Sequence, residues 1–416
     1  MIFKIAKPEN HMSCGDLFFS LPSAEAESAE YEKIAERCRA AAKAEFGDNP
    51  IISERLEKEL ELLRRTESAF KVSVLCEIAA LSRELGYPVC LCGEENGLLI
   101  MYLLGVSGVH PGQYGGRATP TDLVLAKARA GKSVSFELRV SERVREDIQR
   151  RLDEEFSGYD GKEGLYTRIS LPGYDLLDQI GKVALNSGFD WSGIDLDDPE
   201  LERAVITDIC EQGLGWNAED AQDVTDCARL YAYSLYKSKT VKDREHFDRV
   251  VHFVFRDDVF CALKTLGFKA PEAHRMSRLW SNGEKKEDEL ALLALRKAPA
   301  ELVAAYRDLG FLRPEADCAA RVNLLKMLRF YEIKCPAFFR KNESGDTTLR
   351  DPERIAPFLA EFAELWKKEP YMRFGQLVNV LQQMIRHTDD TFYTEDDVML
   401  DAIRKEKARL DKRGKA

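Results

Sequence analysis

Nothing in the 416 residues approaches the roughly 20 consecutive apolar positions that cross a bilayer, so no membrane-spanning helix and no membrane partner are expected. The N-terminus, MIFKIAKPENHMSCGDLFF, lacks an apolar core followed by small residues, so it does not read as a secretory signal, and a cytoplasmic protein is expected. The ten cysteines form no CxxC pair. Only Cys90 and Cys92 are close, in an expected strand and turn; free buried thiols in a reducing compartment are the expectation, with no disulfide framework and no zinc site. A surplus of positive charge is also missing. Lys and Arg total 61 against 72 Asp and Glu, giving a net charge of −11 and an isoelectric point near 5.3. Bulk electrostatics therefore oppose tight nonspecific binding to DNA, although a local basic groove remains compatible with them. No GxGxxG, Walker, GxSxG or HExxH motif occurs. Asp195, Asp197 and Asp198 suggest a calcium loop, but the glycine and distal glutamate of an EF-hand are absent, and a helix cap before Pro199 explains them. His110, His252 and His274 stand isolated, without a second ligand at metal spacing.

What is present is an ordinary globular composition, 44% hydrophobic and 32% charged, long enough for two to three domains. The pattern predicts an α+β fold that is predominantly α-helical. An edge strand is expected at MIFKIAK and helices over 23–46, 51–65 and 69–85, the second with Leu56, Leu60 and Leu63 as an apolar stripe opposite a charged face. A short buried strand (88–91), a buried helix (97–106) and period-two strands over 133–140 and 166–171 follow. Beyond about residue 174 nearly everything reads as helix: one opened by Asp198-Pro199-Glu200, then 217–236, 257–266, 271–280, 285–296, 299–309 and 314–331. A polar linker is expected over 342–350 and about three amphipathic helices over 351–416, ending in a solvated basic tail. The expected division is 1–174, carrying the short mixed sheet, then 175–341 and 351–416. Neither an internal repeat nor a low-complexity tract is evident.

Several blocks carry a family likeness. The stretch from Ile51 to Pro111, including LGYPVCLCGEENGLLIMYLLG, resembles the palm of the bacterial PolC-type DNA polymerase III alpha subunit, a family C polymerase. The likeness begins near Tyr31, and it resumes at SGFDWSGIDLDDPE (187–200), at FRDDVFCALKTLGFKAPEAHRMSRLWSNGE (255–284) and at FLRPEADCAARVNLLKMLRFYEIKCPAFF (311–339). The order is the family's, over roughly 300 residues. The resemblance implies a small palm in 1–174 and helical fingers in 175–341; the tail from 351 lies outside it.

The resemblance also implies a site, and this chain departs from it at each position. Nucleotidyl transfer needs two divalent metals held by carboxylates. The family's palm strand carries Asp-x-Asp, so that both acids share a face; here the matching residues are Ser135-Phe136-Glu137. Glu137 is thus the single surviving candidate for a catalytic carboxylate, and its plain alternative is an exposed strand glutamate. The third expected aspartate falls at Arg168-Ile169-Ser170. The zinc-ribbon cysteines are gone. The family's glycine- and serine-rich turn with an arginine reads Leu91-Cys92-Gly93-Glu94-Glu95-Asn96-Gly97, and its fingers lysine and histidine are replaced by Glu315 and Asp317 after Pro314. At about 5 Å and an effective dielectric near 20, each acid facing a phosphate costs on the order of 3 kcal/mol.

The expectation is therefore a polymerase-like protein that has lost nucleotidyl transfer and serves as a binding or interaction module, without a catalytic set, metal or cofactor. Its expected partners are DNA or replication proteins, or otherwise an unidentified protein. One alternative is an active DNA polymerase using rearranged acids (Glu137, Asp175 or Asp178) with magnesium; another is a helical protein-interaction scaffold. Residual DNA binding would use Arg275, Arg278, Lys285, Lys286, Arg321 and Lys326, whose plain alternative is a solvated helix face. Plain readings also exist for Glu94-Glu95, as a solvated turn, and for Arg256-Asp257-Asp258, as an acidic first helical turn.

Overall fold

The structure, a computed structural model, describes residues 3–5, 16–110, 120–129, 134–159, 161–217, 224, 226–236, 243–280, 286–309, 312–341, 347–349, 355–385 and 396–413. The fold is predominantly helical with small sheets, and the chain forms two compact units, Met1–Pro336 and Ala337–Ala416. No helix among the described residues is long and apolar enough to cross a membrane.

The first unit opens with strands β1 (Phe3–Ile5) and β2 (Asp16–Pro22) and helices α1 (Ala24–Phe46), α2 (Pro50–Thr66) and α3 (Ala69–Glu84). Local chemistry sets these boundaries. Ser23 caps α1 by accepting from the Ala26 amide at 3.1 Å, and Asn49 caps α2 beside Pro50, whose missing N–H is harmless at a helix start. Strand β3 (Cys90–Leu91) leads into a 3-10 turn at Glu94–Gly97, short helix α4 (Leu99–Leu103) and helix α5 (Pro120–Arg129). Strand β4 (Leu138–Arg139), helix α6 (Arg145–Glu155) and strand β5 (Gly161–Ser170) complete this half. The ladders β1–β2, β2–β5 and β3–β4 are antiparallel, while single bridges Glu137–Ser170 and Val140–Gly173 run parallel. On β2, Leu17 and Phe19 alternate into the core at 0% and 1% exposure, so period two decides which face is buried.

Helices α7 (Asp175–Ser187), α8 (Pro199–Asp208), α9 (Cys227–Ser234), α10 (Arg244–Val250), α11 (Arg256–Thr265), α12 (Ala270–Trp280), α13 (Lys286–Leu295), α14 (Ala300–Asp308) and α15 (Glu315–Lys334) follow. Asp198 caps α8, its side chain accepting from the Glu200 amide at 2.8 Å. Two apolar cores result. One gathers Leu60, Leu63, Phe70 and Leu75 from α2 and α3; the other gathers Tyr233, Phe255, Phe260, Tyr306 and Cys318. Helix α5 lies on the seam, with Val124 in the first core and Leu123 and Ala126 in the second. The second unit pairs β6 (Phe339–Lys341) with β7 (Thr347–Leu349) and packs α16 (Ile355–Lys368), α17 (Phe374–Ile385) and α18 (Asp396–Arg413) around Phe362, Leu365, Leu377, Leu381 and Ile403.

Several expectations need correction. The buried helix over 97–106 is a 3-10 turn followed by five helical residues, because Gly93 takes φ +82° and reverses the chain. Regular pairing over 133–140 is confined to Leu138–Arg139, whereas β5 extends back to Gly161 to pair with β2, a strand the sequence reading passed over. Thr347–Leu349, placed in a linker, is a strand; 342–346 lie outside the described residues.

Candidate functional site: a charge network on the seam

The turn Glu94–Gly97 is not solvated. Glu94 and Glu95 are 4% and 3% exposed, pressed between α5, α11, α12 and α15. Burial on this scale requires compensation, because an unpaired buried charge is strongly unfavourable. Glu94 receives the Arg256 guanidinium through Nη1, with Lys127 Nζ and His274 Nε2 each 3.6 Å away. Lys127 Nζ donates to Glu95 Oε1 at 2.5 Å. Arg256 Nη2 lies 2.9 Å from His274 Nε2, so that nitrogen accepts and the ring is the neutral tautomer. Burial pushes the His274 pKa down, consistent with a neutral ring. Burial alone would raise Glu94, but the Arg256 and Lys127 cations beside it outweigh burial and hold its carboxyl at about 2. Glu95, whose burial is offset chiefly by Lys127, is pushed up instead. His274, read from sequence as isolated, is thus a neutral hydrogen-bond partner of Arg256 beside two buried ion pairs.

The network continues where α11 and α15 begin side by side. The Arg256 amide donates to the Arg313 carbonyl at 3.0 Å, and the Glu315 amide donates to Asp257 Oδ2 at 2.9 Å. Asp258 holds Arg229 at 2.6 and 3.2 Å and accepts from the Phe255 amide, the Arg229 guanidinium lying 4.7 Å over the Phe255 ring. The Arg256-Asp257-Asp258 stretch does form an acidic first turn, but it is buried. Burial raises Asp257 to about 7; burial, together with Asp257 and Asp258, raises Glu315 to about 8. Asp317 accepts from the Gly93 amide at 3.3 Å and is paired with Arg313 at 3.1 Å and Arg321 at 3.4 Å. Six acids (Glu94, Glu95, Asp257, Asp258, Glu315, Asp317) thus face five cations (Lys127, Arg229, Arg256, Arg313, Arg321). Chemically the cluster is a self-compensated lock between the two cores. Its cations already have carboxylates, and its two unpaired acids, Asp257 and Glu315, favour the protonated form.

Glu59, which the sequence reading did not single out, lies among Leu56, Leu60 and Leu63 on α2 and is fully buried. It accepts from Arg55 Nε at 3.0 Å, the Ile100 amide at 3.0 Å and Thr121 Oγ1 at 2.5 Å, tying α2, α4 and α5 together. Asp16, also unsuspected, is 4% exposed and bonds Ser170 Oγ at 2.9 Å and Arg168 at 3.2 Å. No sequence signal pointed to it, because its strand β2 was not recognised and its partners lie on β5.

Glu137 lies beside Ser170, and its partly exposed carboxylate pairs with Arg139 at 3.3 Å. Asp175 begins α7, and Asp178 accepts from Ser141 Oγ. Among the described residues no three His, Cys, Asp or Glu side chains are arranged to hold a metal ion. Of the six basic candidates, Arg321 and Lys326 are not on a solvated face. Arg321 is 8% exposed and paired with Asp317; Lys326 is 7% exposed and donates to the Leu196 carbonyl at 2.9 Å, near Glu202 at 3.4 Å. Arg275 and Arg278 are exposed on α12, Arg275 lying 3.6 Å from Glu289. Lys286 opens α13, and Lys285 lies outside the described residues. His110 and His252 are exposed. No family model matches the chain, and no curated protein matches it.

Proposed function

We propose that this chain is a PolC-type polymerase-like protein without nucleotidyl transfer, serving as a binding or interaction module whose partners are DNA or replication proteins. One observation carries the reading. The seam cations Lys127, Arg256 and Arg321, which lie around the turn and helix that the likeness assigns to the triphosphate, are each already paired with a buried carboxylate. A triphosphate entering there would have to displace Glu94, Glu95 and Asp317 and then meet their charge. Ser135 and Ser170, with Glu137 paired to Arg139, do not fit a two-magnesium centre, which needs several free carboxylates on one face. Calorimetric titration with a magnesium deoxynucleoside triphosphate tests the proposal: no saturable binding is expected, and micromolar binding would contradict it.

A second reading, a helical protein-interaction scaffold, is favoured by the second unit. There Ile355, Leu359, Tyr371 and Phe374 stand 49–96% exposed on or beside α16 and α17. Large apolar side chains left this exposed are the material from which partner surfaces are built. Charge substitutions at Leu359 and Tyr371, which is 96% exposed, would then abolish capture of a protein partner without altering the helical content of the unit.

A further inference from the structure

We infer that the end of α7, the acidic stretch leading into α8 and the last turns of α15 form a docking surface for a basic amphipathic segment of a protein partner. The inference uses neither the seam network nor the second unit, so it stands apart from the polymerase-like reading. Leu185, Phe189 and Ile333 are 57%, 51% and 51% exposed, and the half-buried Phe330 joins them. The rings of Phe189 and Phe330 meet edge to face at 6.3 Å, and Ile333 follows one turn beyond Phe330 on α15. Single exposed apolar residues are ordinary; a patch built on touching rings from two parts of the chain marks a surface that another molecule covers. The patch is also held in place. The Phe189 carbonyl accepts from the Tyr331 hydroxyl at 2.6 Å, and Leu185 lies on Gly86, where an added β-carbon would come within 2.6 Å of it. A surface fixed before binding loses less freedom on binding.

Charge selects the occupant. From Val183 to Glu202 the chain carries six acids and no Lys or Arg. Asp190, Asp195, Asp197 and Glu200 are exposed, and none of the four makes a salt bridge with a described residue. Asp190 directly follows Phe189, and hydrogen bonds from Ser192 hold its carboxyl below the usual range. Arg83, which also favours the ionised Asp190, is engaged by the Gly105 carbonyl at 3.0 Å. Asp195 and Asp197 flank Leu196, whose carbonyl accepts from Lys326 at 2.9 Å, one turn before Phe330 on α15. The acids therefore run alongside the apolar rings. Such a rim repels nucleic acid and anionic lipid and attracts Lys and Arg. Its complement is a helix with leucines on one face and lysines on the other.

The test uses the full chain and a fluorescein-labelled peptide of about 14 residues, four helical turns, patterned in that way. Fluorescence anisotropy is expected to show saturable binding that weakens as salt is raised, and no binding of a short DNA duplex or of the same peptide with Glu in place of Lys. Phe189→Ala is expected to weaken peptide binding by about tenfold or more, and Asp197→Asn combined with Glu200→Gln by about threefold to tenfold. Should Phe189→Ala misfold by circular dichroism, Leu185→Ser takes its place. Ile51→Ser and Glu54→Gln, at exposed apolar and acidic positions on α2, are expected to leave binding unchanged. Absence of saturation, DNA binding of equal strength, or a loss in the Phe189 and Asp197/Glu200 variants no greater than in the α2 variants would overturn the inference.

Discussion

Replacing Arg256 with methionine removes one cation from the seam at little change in volume. Arg256 is 9% exposed and is the guanidinium partner of Glu94. Its loss leaves Glu94 and Glu95 sharing Lys127, an excess of one negative charge in a buried place. Breaking a buried pair from one side costs about 3–5 kcal/mol. With about 2.1 cal/mol/K of unfolding entropy per residue, that loss lowers Tm by about 4–7 °C for a unit the size of Met1–Pro336. The loss also depends on pH. His274 Nε2 remains 3.6 Å from Glu94; burial still holds its pKa down, but without Arg256 the ring loses a repelling cation. Its folded pKa therefore rises from the parent's lowered value toward the unfolded one. The cost of protonating His274 in the fold, which sets in as pH falls below about 6.5, is smaller in the variant than in the parent. Urea unfolding followed by circular dichroism should show a deficit about 1–2 kcal/mol smaller at pH 5 than at pH 8. Adding Glu94→Gln to the same chain removes the surplus charge and should restore much of the loss. A deficit below about 1 kcal/mol, or one equal at both pH values, would refute a buried network that needs every partner.

Further outcomes follow from the same seam and from the second unit. Asp257 and Glu315 hold protons to about pH 7 and 8, so the fold pays an increasing cost as pH rises from the ordinary carboxylate range to those values. Asp257→Asn, which keeps an oxygen to accept from the Glu315 amide, should flatten that decline and gain on the order of 2 kcal/mol over the parent at pH 8; equal urea midpoints there would contradict it. Gly97→Ala places a methyl 2.3 Å from Pro120 Cγ and 3.2 Å from Ala316 Cβ, and is expected to cost about 1–3 kcal/mol in the same assay. Leu365, fully buried in the second unit, should cost about 2–5 kcal/mol when cut to alanine, read from the thermal melt.

The helical skeleton was legible because its signals are local: Ser23 and Asn49 cap α1 and α2 from neighbouring positions, and Leu56, Leu60 and Leu63 form the buried stripe. What was not legible depended on partners far along the chain. Glu94 resembled any surface glutamate until Arg256, 162 residues away, was brought to it. Glu59 lies within the apolar stripe of its helix, and its partners, the Ile100 amide and the Thr121 hydroxyl, come from α4 and α5, 41 and 62 residues away. Arg321 and Lys326 had the composition of a basic groove, yet each ends on an internal carboxylate or carbonyl. Strand β2 escaped notice because its alternation, DLFFSLP, is broken by adjacent phenylalanines and ends in proline.

The central claim is that the positions which the polymerase likeness assigns to nucleotide and metal are taken up by internal pairing. Primer extension by the purified full chain on a primed template, with magnesium and separately with manganese, tests it most directly. No extension above background is expected with either ion; extension abolished by Glu137→Ala would contradict that claim.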